Sequence, residues 1–213
     1  MYKNVFFDLD GTLTDSSEGI TKCAKLALEH FGITGYELSD LTCFIGPPLS
    51  HTFPKFGIPK ADVSEAIRVF RSRYQTVGKF ENRPYPGIPK LLGDLQKEGF
   101  HLYVATSKPE VTAREILEKF DLKKYFTCIC GATLDGTRDD KDAVIRYLLA
   151  QAGTMEDIVM VGDTRYDVLG AAALQIPTIG VSWGFGSVEE MEAAGAIRIV
   201  ANMQELSDAL HGI

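Results

Sequence analysis

The chain has 213 residues and a formal net charge of −7, and 45% of its residues are hydrophobic. This composition is typical of a globular protein and argues against a disordered chain. The acidic balance, without any run of Lys and Arg, argues against nucleic acid as a partner. No apolar run approaches the roughly 20 residues that a membrane span needs, so no membrane partner is expected. The N-terminal segment lacks the layout of a signal peptide, which predicts a cytoplasmic protein.

Five apolar segments are typical of buried strands, and each is bounded by Gly, Asp or Pro. They span residues 5–9, 101–106, 126–130, 158–162 and 178–181, with 197–200 as a weaker sixth candidate. From residue 101 onward, helical patterns separate the strands, at 109–120, at 140–152 and after Asn202. This alternation predicts an α/β fold with three layers, a doubly wound parallel sheet with helices on both faces.

The stretch between the first two strands breaks the alternation. Residues 16–82 carry two amphipathic helical patterns and no convincing strand, and the Pro- and Gly-rich segment 82–87 leads back to the sheet. We therefore predict an inserted α-helical cap domain at 16–82 and a core domain formed by 1–15 and 83–213.

Two acidic residues stand directly behind the first predicted strand, in the run Asp8-Leu9-Asp10-Gly11-Thr12-Leu13. In open parallel sheets, ligands bind beyond the carboxyl ends of the strands. Two carboxylates at such a place repel each other, and a divalent cation relieves the repulsion. An ordinary turn explains Asp10 and Gly11 but not Asp8, which directly follows apolar residues. The pair therefore indicates a cation site.

A second acidic cluster, Gly162-Asp163 with Asp167 four residues on, follows the predicted strand 158–162. If this strand neighbours the first, Asp163 joins Asp8 and Asp10 around one point and completes an oxygen-rich Mg²⁺ site. Asp167 would orient Asp163 or a bound water, or cap a helix. Taken alone, the cluster is equally typical of an ordinary loop.

Two further features are compatible with an anion site. Thr106 and Ser107 end the strand 101–106, where hydroxyls and backbone N–H groups at a helix start bind anions, although a simple helix cap is the alternative. Lys141 lies at the start of the helical pattern 140–152, where the helix dipole disfavours a cation unless an anion is bound. A solvated run of charges is the alternative for Lys141.

Acid, hydroxyl, lysine and acid in this order resemble the haloacid dehalogenase superfamily over nearly the whole chain. The run from Asp8 to Leu13 resembles the first motif of that superfamily, and the later motifs are matched by Thr106, by Lys141 and by Asp163 with Asp167. Asp15-Ser16 followed by a helical insertion is similar to the phosphoglycolate phosphatase-like branch. That branch often has Pro after the motif lysine, whereas Asp142 stands here, as in some relatives that resemble nucleotidases.

The resemblance implies a Mg²⁺-dependent phosphatase that hydrolyses a small phosphomonoester, either phosphoglycolate-like or a nucleoside monophosphate. Asp8 would be the nucleophile that becomes an aspartyl-phosphate, and Asp10 would act as acid and then as base. Thr106 and Lys141 complete the implied catalytic set.

The resemblance also implies the binding residues. Mg²⁺ would contact Asp8, the carbonyl of Asp10 and Asp163, with Asp167 in an outer position or acting through water. The phosphate would be held by Gly11, Thr106, Ser107 and Lys141. Substrate specificity is assigned to Lys108 and to Gly46 and Pro47, which lie in a kinked cap segment whose alternative is an ordinary turn between helices.

Two other functions stay open. A phosphomutase of sugar phosphates has the same motifs and returns the phosphoryl group to its substrate. A phospho-aspartate receiver module also uses a strand-end Asp with Thr and Lys, but it needs neither the helical insertion nor the Asp163 cluster. We expect a small-molecule phosphate ester as the partner and a monomer or homodimer.

Overall fold

The computed structural model describes residues 2–153 and 155–212. The chain divides into two compact units. One unit is formed by the residues up to Thr14 together with those from Pro84 onward, and the other is Asp15–Arg83.

The described residues form strands β1 (Asn4–Phe7), β2 (Thr14–Asp15), β3 (Arg83–Pro84), β4 (His101–Pro109), β5 (Cys128–Ala132), β6 (Ile158–Gly162), β7 (Thr178–Val181) and β8 (Arg198–Val200). The α-helices are α1 (Ser17–His30), α2 (Leu49–Thr52), α3 (Val63–Tyr74), α4 (Ile88–Lys97), α5 (Glu110–Lys119), α6 (Lys141–Ala152), α7 (Arg165–Ala172), α8 (Val188–Ala193) and α9 (Met203–His211). Among the described residues, no helix combines the length and the apolar surface that crossing a membrane requires.

The first unit is built on a six-stranded sheet with the order β5-β4-β1-β6-β7-β8. All of its strand pairs are parallel. The chain runs outward from β1 through β4 to β5, returns to β6 on the other side of β1, and continues outward to β8. The direction therefore reverses between β1 and β6. In such sheets the ligand crevice lies at this switch point, beyond the carboxyl ends of the two strands.

Strand β1 is buried on both faces, because helices cover the sheet on either side. Val5 and Phe7 belong to the core that includes residues of α4, α5 and α9, whereas Phe6 belongs to the core that includes residues of α6 and α7. This is why β1 is an apolar run without polar alternation. The predicted three-layer, doubly wound parallel sheet is confirmed.

The second unit is helical between its ends and contains α1, α2, α3 and four short 3₁₀ segments (Leu38–Phe44, Phe53–Phe56, Lys60–Asp62 and Gly78–Phe80). Helix α1 approaches the last of these segments closely, since a Cβ on Gly19 would lie 1.9 Å from the Gly78 oxygen. Arg73 and Glu81 form a partly buried ion pair at 2.6 Å. Hydrogen bonds from Arg73 lower the pKa of Glu81 to about 2.

Several elements differ from the prediction. Strand β1 is Asn4–Phe7 and does not reach the predicted residue 9, because the Leu9 carbonyl accepts hydrogen bonds within the turn that follows. Strand β4 extends three residues beyond 106 to Pro109, with a register shift against β5. Strand β5 begins two residues later than the predicted 126–130, because Phe126 caps a 3₁₀ turn. The strand continues through Gly131, where a Cβ atom would lie only 2.5 Å from the Lys108 carbonyl oxygen. Helices α4, α7 and α8 were not predicted, and α4 begins after Gly87, which has φ +91°.

Candidate active site

Two buried aspartates lie side by side at the switch point of the sheet. Asp8 follows β1, and its backbone N–H donates to the carbonyl of Val161 on β6 at 2.9 Å. Asp163 follows β6 and is fully buried, and Asp8 is 5% exposed. The parallel register of β1 and β6, with Phe7 opposite Val161, brings the two strand ends together. The sequence analysis assumed that these two strands are neighbours, and the structure shows that they are.

Asp167 joins these residues in a compact acidic cluster. Asp8, Asp163 and Asp167 each offer a carboxylate oxygen, and these oxygens lie within 4.8 Å of one another. Burial raises the pKa of Asp163 well above its usual value, and the charges of Asp167 and Asp8 raise it further. Burial also raises the pKa of Asp167. Hard oxygen donors that are close together and short of positive charge are the ligand set that Mg²⁺ prefers.

Lys141 is the cation that the structure places against this cluster. Its Nζ lies 2.7 Å from Asp8 Oδ1, 2.7 Å from Asp167 Oδ1 and 3.0 Å from the Ala105 carbonyl oxygen. Burial lowers the pKa of Lys141, but the charges of Asp167 and Asp8 outweigh burial and the pKa is raised. The stem of Lys141 packs against α7, where a Cβ on Gly170 would lie 2.6 Å from Lys141 Cβ. Lys141 is therefore a buried, charged group with a fixed position.

Asp167 is held by its own helix. Its Oδ2 accepts hydrogen bonds from the N–H of Thr164 at 3.0 Å and from the Thr164 hydroxyl at 2.8 Å. Thr164 is the N-cap of α7, so the carboxylate belongs to a capping box. A Cβ on Gly162 would lie 2.3 Å from Asp167 Cγ, which explains why glycine precedes Asp163. Asp167 thus caps α7 with one oxygen and pairs with Lys141 through the other.

The carboxylate of Asp10 lies in a different environment. Its Oδ2 accepts a hydrogen bond from Lys108 Nζ at 2.6 Å, and both side chains are almost fully buried. Its Oδ1 is buried and has no hydrogen-bond partner among the described residues. One oxygen of Asp10 is therefore fixed by a lysine that the sequence assigned to specificity, and the other oxygen is available to a ligand.

The residues predicted to bind phosphate have different surroundings. Thr106 is buried, and its hydroxyl accepts a hydrogen bond from the N–H of Lys108 at 3.2 Å. Ser107 is half-buried. The N–H of Gly11 donates to the Thr14 carbonyl at 2.8 Å, so this amide is already used within its turn. Gly11 has φ +88°, and a Cβ there would lie 2.1 Å from Asp163 Oδ2, so glycine is required for a steric reason.

Sequence reasoning missed three contacts of Asp163. The Thr12 hydroxyl donates to Asp163 Oδ1 at 3.1 Å, and the N–H of Phe185 donates to Asp163 Oδ2 at 2.8 Å. Gly184 packs against the Asp163 side chain. The available signal was the run Trp183-Gly184-Phe185-Gly186, which follows a predicted strand at the same edge of the sheet.

Gly46 and Pro47, predicted to act in specificity, belong to the unit Asp15–Arg83. They lie between the 3₁₀ segment Leu38–Phe44 and α2, and Gly46 has φ +98°. This positive φ explains the choice of glycine, and a role in substrate selection stays a prediction.

Replacing Asp163 with asparagine should stabilise the metal-free protein. The folded pKa of Asp163 is raised, so its ionisation opposes folding, and stability is lost as the pH rises above the pKa of an unfolded aspartate. At pH 7 with a chelator, we expect Asp163→Asn to unfold a few degrees higher than the wild type. The same variant should lose any stabilisation by Mg²⁺.

Thermal unfolding with chelator and with Mg²⁺ measures both effects. Glu156→Gln is the matched control, because Glu156 is an exposed acidic residue just before β6. This control should have the same unfolding temperature as the wild type, both with chelator and with Mg²⁺. A metal-free Asp163→Asn variant that is less stable than the wild type would show that the buried charge is not a source of strain.

The chain is similar to known proteins over most of its length. The model of the family "Haloacid dehalogenase-like hydrolase" matches residues 5–181. The chain is 44% identical over 211 residues to the 5'-nucleotidase of Pseudomonas aeruginosa, covering 98% of this chain and 96% of that protein. It is 41% identical over 209 residues to tyrosine-protein kinase PtkA of Mycobacterium tuberculosis, covering 97% of this chain and 72% of that protein. Phosphoglycolate phosphatases are also among the relatives.

A solved structure agrees with these relatives. The crystal structure of a predicted phosphatase from Clostridium acetobutylicum is similar, with a TM-score of 0.95, 45% identity and coverage of 100% of both chains. The predicted resemblance and the predicted enzyme class, a phosphoric monoester hydrolase, are confirmed. The chain belongs to the haloacid dehalogenase-like hydrolase family.

Proposed function

We propose that this protein is a Mg²⁺-dependent phosphatase that hydrolyses a small phosphomonoester through an aspartyl-phosphate on Asp8. The main support is one observation: Lys141 Nζ lies 2.7 Å from Asp8 Oδ1, at the point where the oxygens of Asp8, Asp163 and Asp167 converge. A carboxylate held between an ammonium group and a potential cation site is arranged for attack on a phosphate ester. Phosphoryl transfer depends mainly on such positioning and charge stabilisation.

The donor set suits Mg²⁺. Asp8, Asp163 and the carbonyl of Asp10 would hold the ion, and Asp167 would act from an outer position. The acidic cluster has three buried carboxylates facing the single positive charge of Lys141, so a divalent cation offsets the remaining charge. When bound, Mg²⁺ supplies neutralisation of charge on the phosphoryl oxygens.

Asp8 performs the first step. One of its carboxylate oxygens attacks phosphorus in line with the ester oxygen; the new O–P bond forms as the bond from phosphorus to the leaving oxygen breaks. Lys141 holds the Asp8 carboxylate and stabilises the phosphoryl oxygens as charge develops on them. Thr106 is buried within β4, next to Ala105, whose carbonyl oxygen Lys141 contacts, and it would donate a hydrogen bond to the same phosphoryl group.

Asp10 transfers the proton in both steps. In its protonated form it donates the proton to the leaving alkoxide oxygen, and as a carboxylate it then accepts a proton from the water that attacks the phosphorus of phospho-Asp8. This second attack releases inorganic phosphate and regenerates Asp8. Oδ1 is the oxygen suited to this role, because it has no partner among the described residues while Oδ2 faces Lys108.

We propose a nucleoside monophosphate as the first substrate to test, because the relative from Pseudomonas aeruginosa, 44% identical, is named a 5'-nucleotidase. Phosphoglycolate is the second. We further propose that the helical unit Asp15–Arg83 acts as the cap that selects between them, with Gly46 and Pro47 contributing. The support is the connection of the chain: this unit is inserted directly after the motif that contains Asp8 and Asp10.

Release of inorganic phosphate from a set of substrates tests the proposal. The set contains nucleoside monophosphates, phosphoglycolate, a hexose phosphate and ATP, each with Mg²⁺ and with a chelator. We expect Mg²⁺-dependent release from the monoesters, at least about 100-fold above the chelated protein. Isomerisation of the hexose phosphate without release would indicate a mutase, and transfer of phosphate from ATP to tyrosine in preference to hydrolysis would indicate a kinase. Either result, or full activity with chelator, contradicts the proposal.

A further inference from the structure

We infer that the loop Trp183–Gly186, together with Thr12, is a positioning element that holds Asp163 for the divalent cation. We refer to Trp183–Gly186 as the clasp loop. This inference rests on the proposed function, since it assigns residues that act on a metal ligand through contact and do not touch the substrate. The loop follows β7, a strand that carries none of the proposed catalytic or metal-binding residues.

Both oxygens of Asp163 are held from outside the acidic cluster. Oδ1 accepts the hydrogen bond of the Thr12 hydroxyl, and Oδ2 accepts that of the Phe185 N–H in the clasp loop. Each carboxylate oxygen can accept more than one interaction. The two hydrogen bonds therefore fix the plane of the carboxylate and still leave acceptor capacity for a cation. Neither donor carries charge, so neither replaces the cation.

The two glycines of the clasp loop are required because a side chain at either position would clash with Asp163. A Cβ on Gly184 would lie 2.3 Å from Asp163 Cβ, and a Cβ on Gly186 would lie 2.0 Å from the Asp163 carbonyl oxygen. Neither glycine has a positive φ, so conformational freedom does not explain them. The loop backbone packs directly on Asp163, and any side chain at these positions would displace either the carboxylate or the loop.

Trp183 connects the two donors of Asp163. Its indole N–H donates to the Thr12 carbonyl oxygen at 3.1 Å, and its ring packs partly buried against the main core of the sheet domain. The turn that carries Asp10 and Thr12 and the loop that carries Phe185 are thereby fixed to each other, with Asp163 between them. Groups that orient a metal ligand in this way typically change metal affinity by 10–100-fold when removed.

Thr12→Val tests the inference, because it removes the hydroxyl and retains the buried shape. Thr12→Ser restores the hydroxyl. The matched control is Thr178→Val, since Thr178 is equally buried on β7 and its hydroxyl has no hydrogen-bond partner among the described residues. The Mg²⁺ dissociation constant of each substrate-free protein is measured by titration calorimetry, and kcat is measured at saturating Mg²⁺.

We expect Thr12→Val to weaken Mg²⁺ binding by about tenfold, with kcat at saturating Mg²⁺ close to that of the wild type. Thr12→Ser should recover most of the affinity, and Thr178→Val should match the wild type. Gly184→Ala provides a second test and should weaken Mg²⁺ binding at least as much. If Thr12→Val binds Mg²⁺ as tightly as Thr178→Val, the inference is wrong while the proposed function stands. If the wild type itself binds no Mg²⁺, both are wrong.

Discussion

Replacing Asp8 with asparagine is expected to reduce kcat by a factor on the order of 10⁴ or more, because it removes the proposed nucleophile. Asparagine has nearly the same shape, and Lys141 retains its pair with Asp167 at 2.7 Å. The variant should therefore fold, with an unfolding temperature within a few degrees of the wild type. Steady-state phosphate release and thermal unfolding measure the two parts of this expectation.

Asp8→Glu is the informative companion variant. It keeps the carboxylate but moves it by one methylene, and the buried position between Lys141 and the acidic cluster leaves no slack for that shift. We expect a loss of activity nearly as large as that of Asp8→Asn, since effective attack depends on sub-ångström placement. Substantial turnover by Asp8→Asn would show that water attacks the ester directly.

Replacing Lys141 with methionine is expected to damage both stability and activity. Lys141 is about 95% buried and pairs with Asp8 and Asp167, so its removal leaves two buried carboxylates without their counter-charge. Loss of one partner from a buried ion pair costs about 3–5 kcal/mol, which corresponds to a fall of roughly 10 °C in the unfolding temperature of a chain of this size. Activity should fall by at least about 100-fold, because the phosphoryl oxygens lose their ammonium partner.

A double variant separates the two effects of Lys141. Lys141→Met combined with Asp167→Asn removes one of the uncompensated charges, so it should regain much of the stability and none of the activity. Lys97→Met serves as the control, because the Lys97 side chain is 80% exposed on α4. A Lys141→Met variant as stable as Lys97→Met would mean that the cluster does not depend on this ion pair.

The sequence predicted the strand bounds correctly where a short apolar run is followed by residues that end a strand. Strands β6 and β7 have the predicted bounds, because each is a short apolar run that stops at a glycine, an acid or a turn. Strand β5 was misplaced since its last residues, Gly131 and Ala132, carry no β-propensity of their own. Position 131 requires glycine because the backbone of residues 108–110 approaches it closely. No local sequence pattern reveals this approach.

The site was predictable in part. Single residues at strand ends, such as Asp8 and Asp163, followed from the physics of buried charge at the edge of a parallel sheet. The pairing of Lys108 with Asp10, and of Thr12 with Asp163, depends on side-chain directions across residues about 98 and 151 positions apart. Such contacts are set by tertiary packing, so the sequence showed which residue types were present but not which pairs they form.

The most direct test of the central claim is to trap the phosphorylated enzyme. Asp10→Asn is mixed with Mg²⁺ and an aryl phosphate, whose leaving group departs without being protonated, so that only the second step needs the missing base. The reaction is quenched within one turnover, reduced with borohydride and digested for mass spectrometry. Borohydride converts an aspartyl-phosphate to homoserine, and we predict homoserine at position 8, with none when Asp8→Asn is treated in the same way. Reduction at another acidic residue, or substrate consumed in the same reaction without any modified peptide, would contradict Asp8 as the nucleophile.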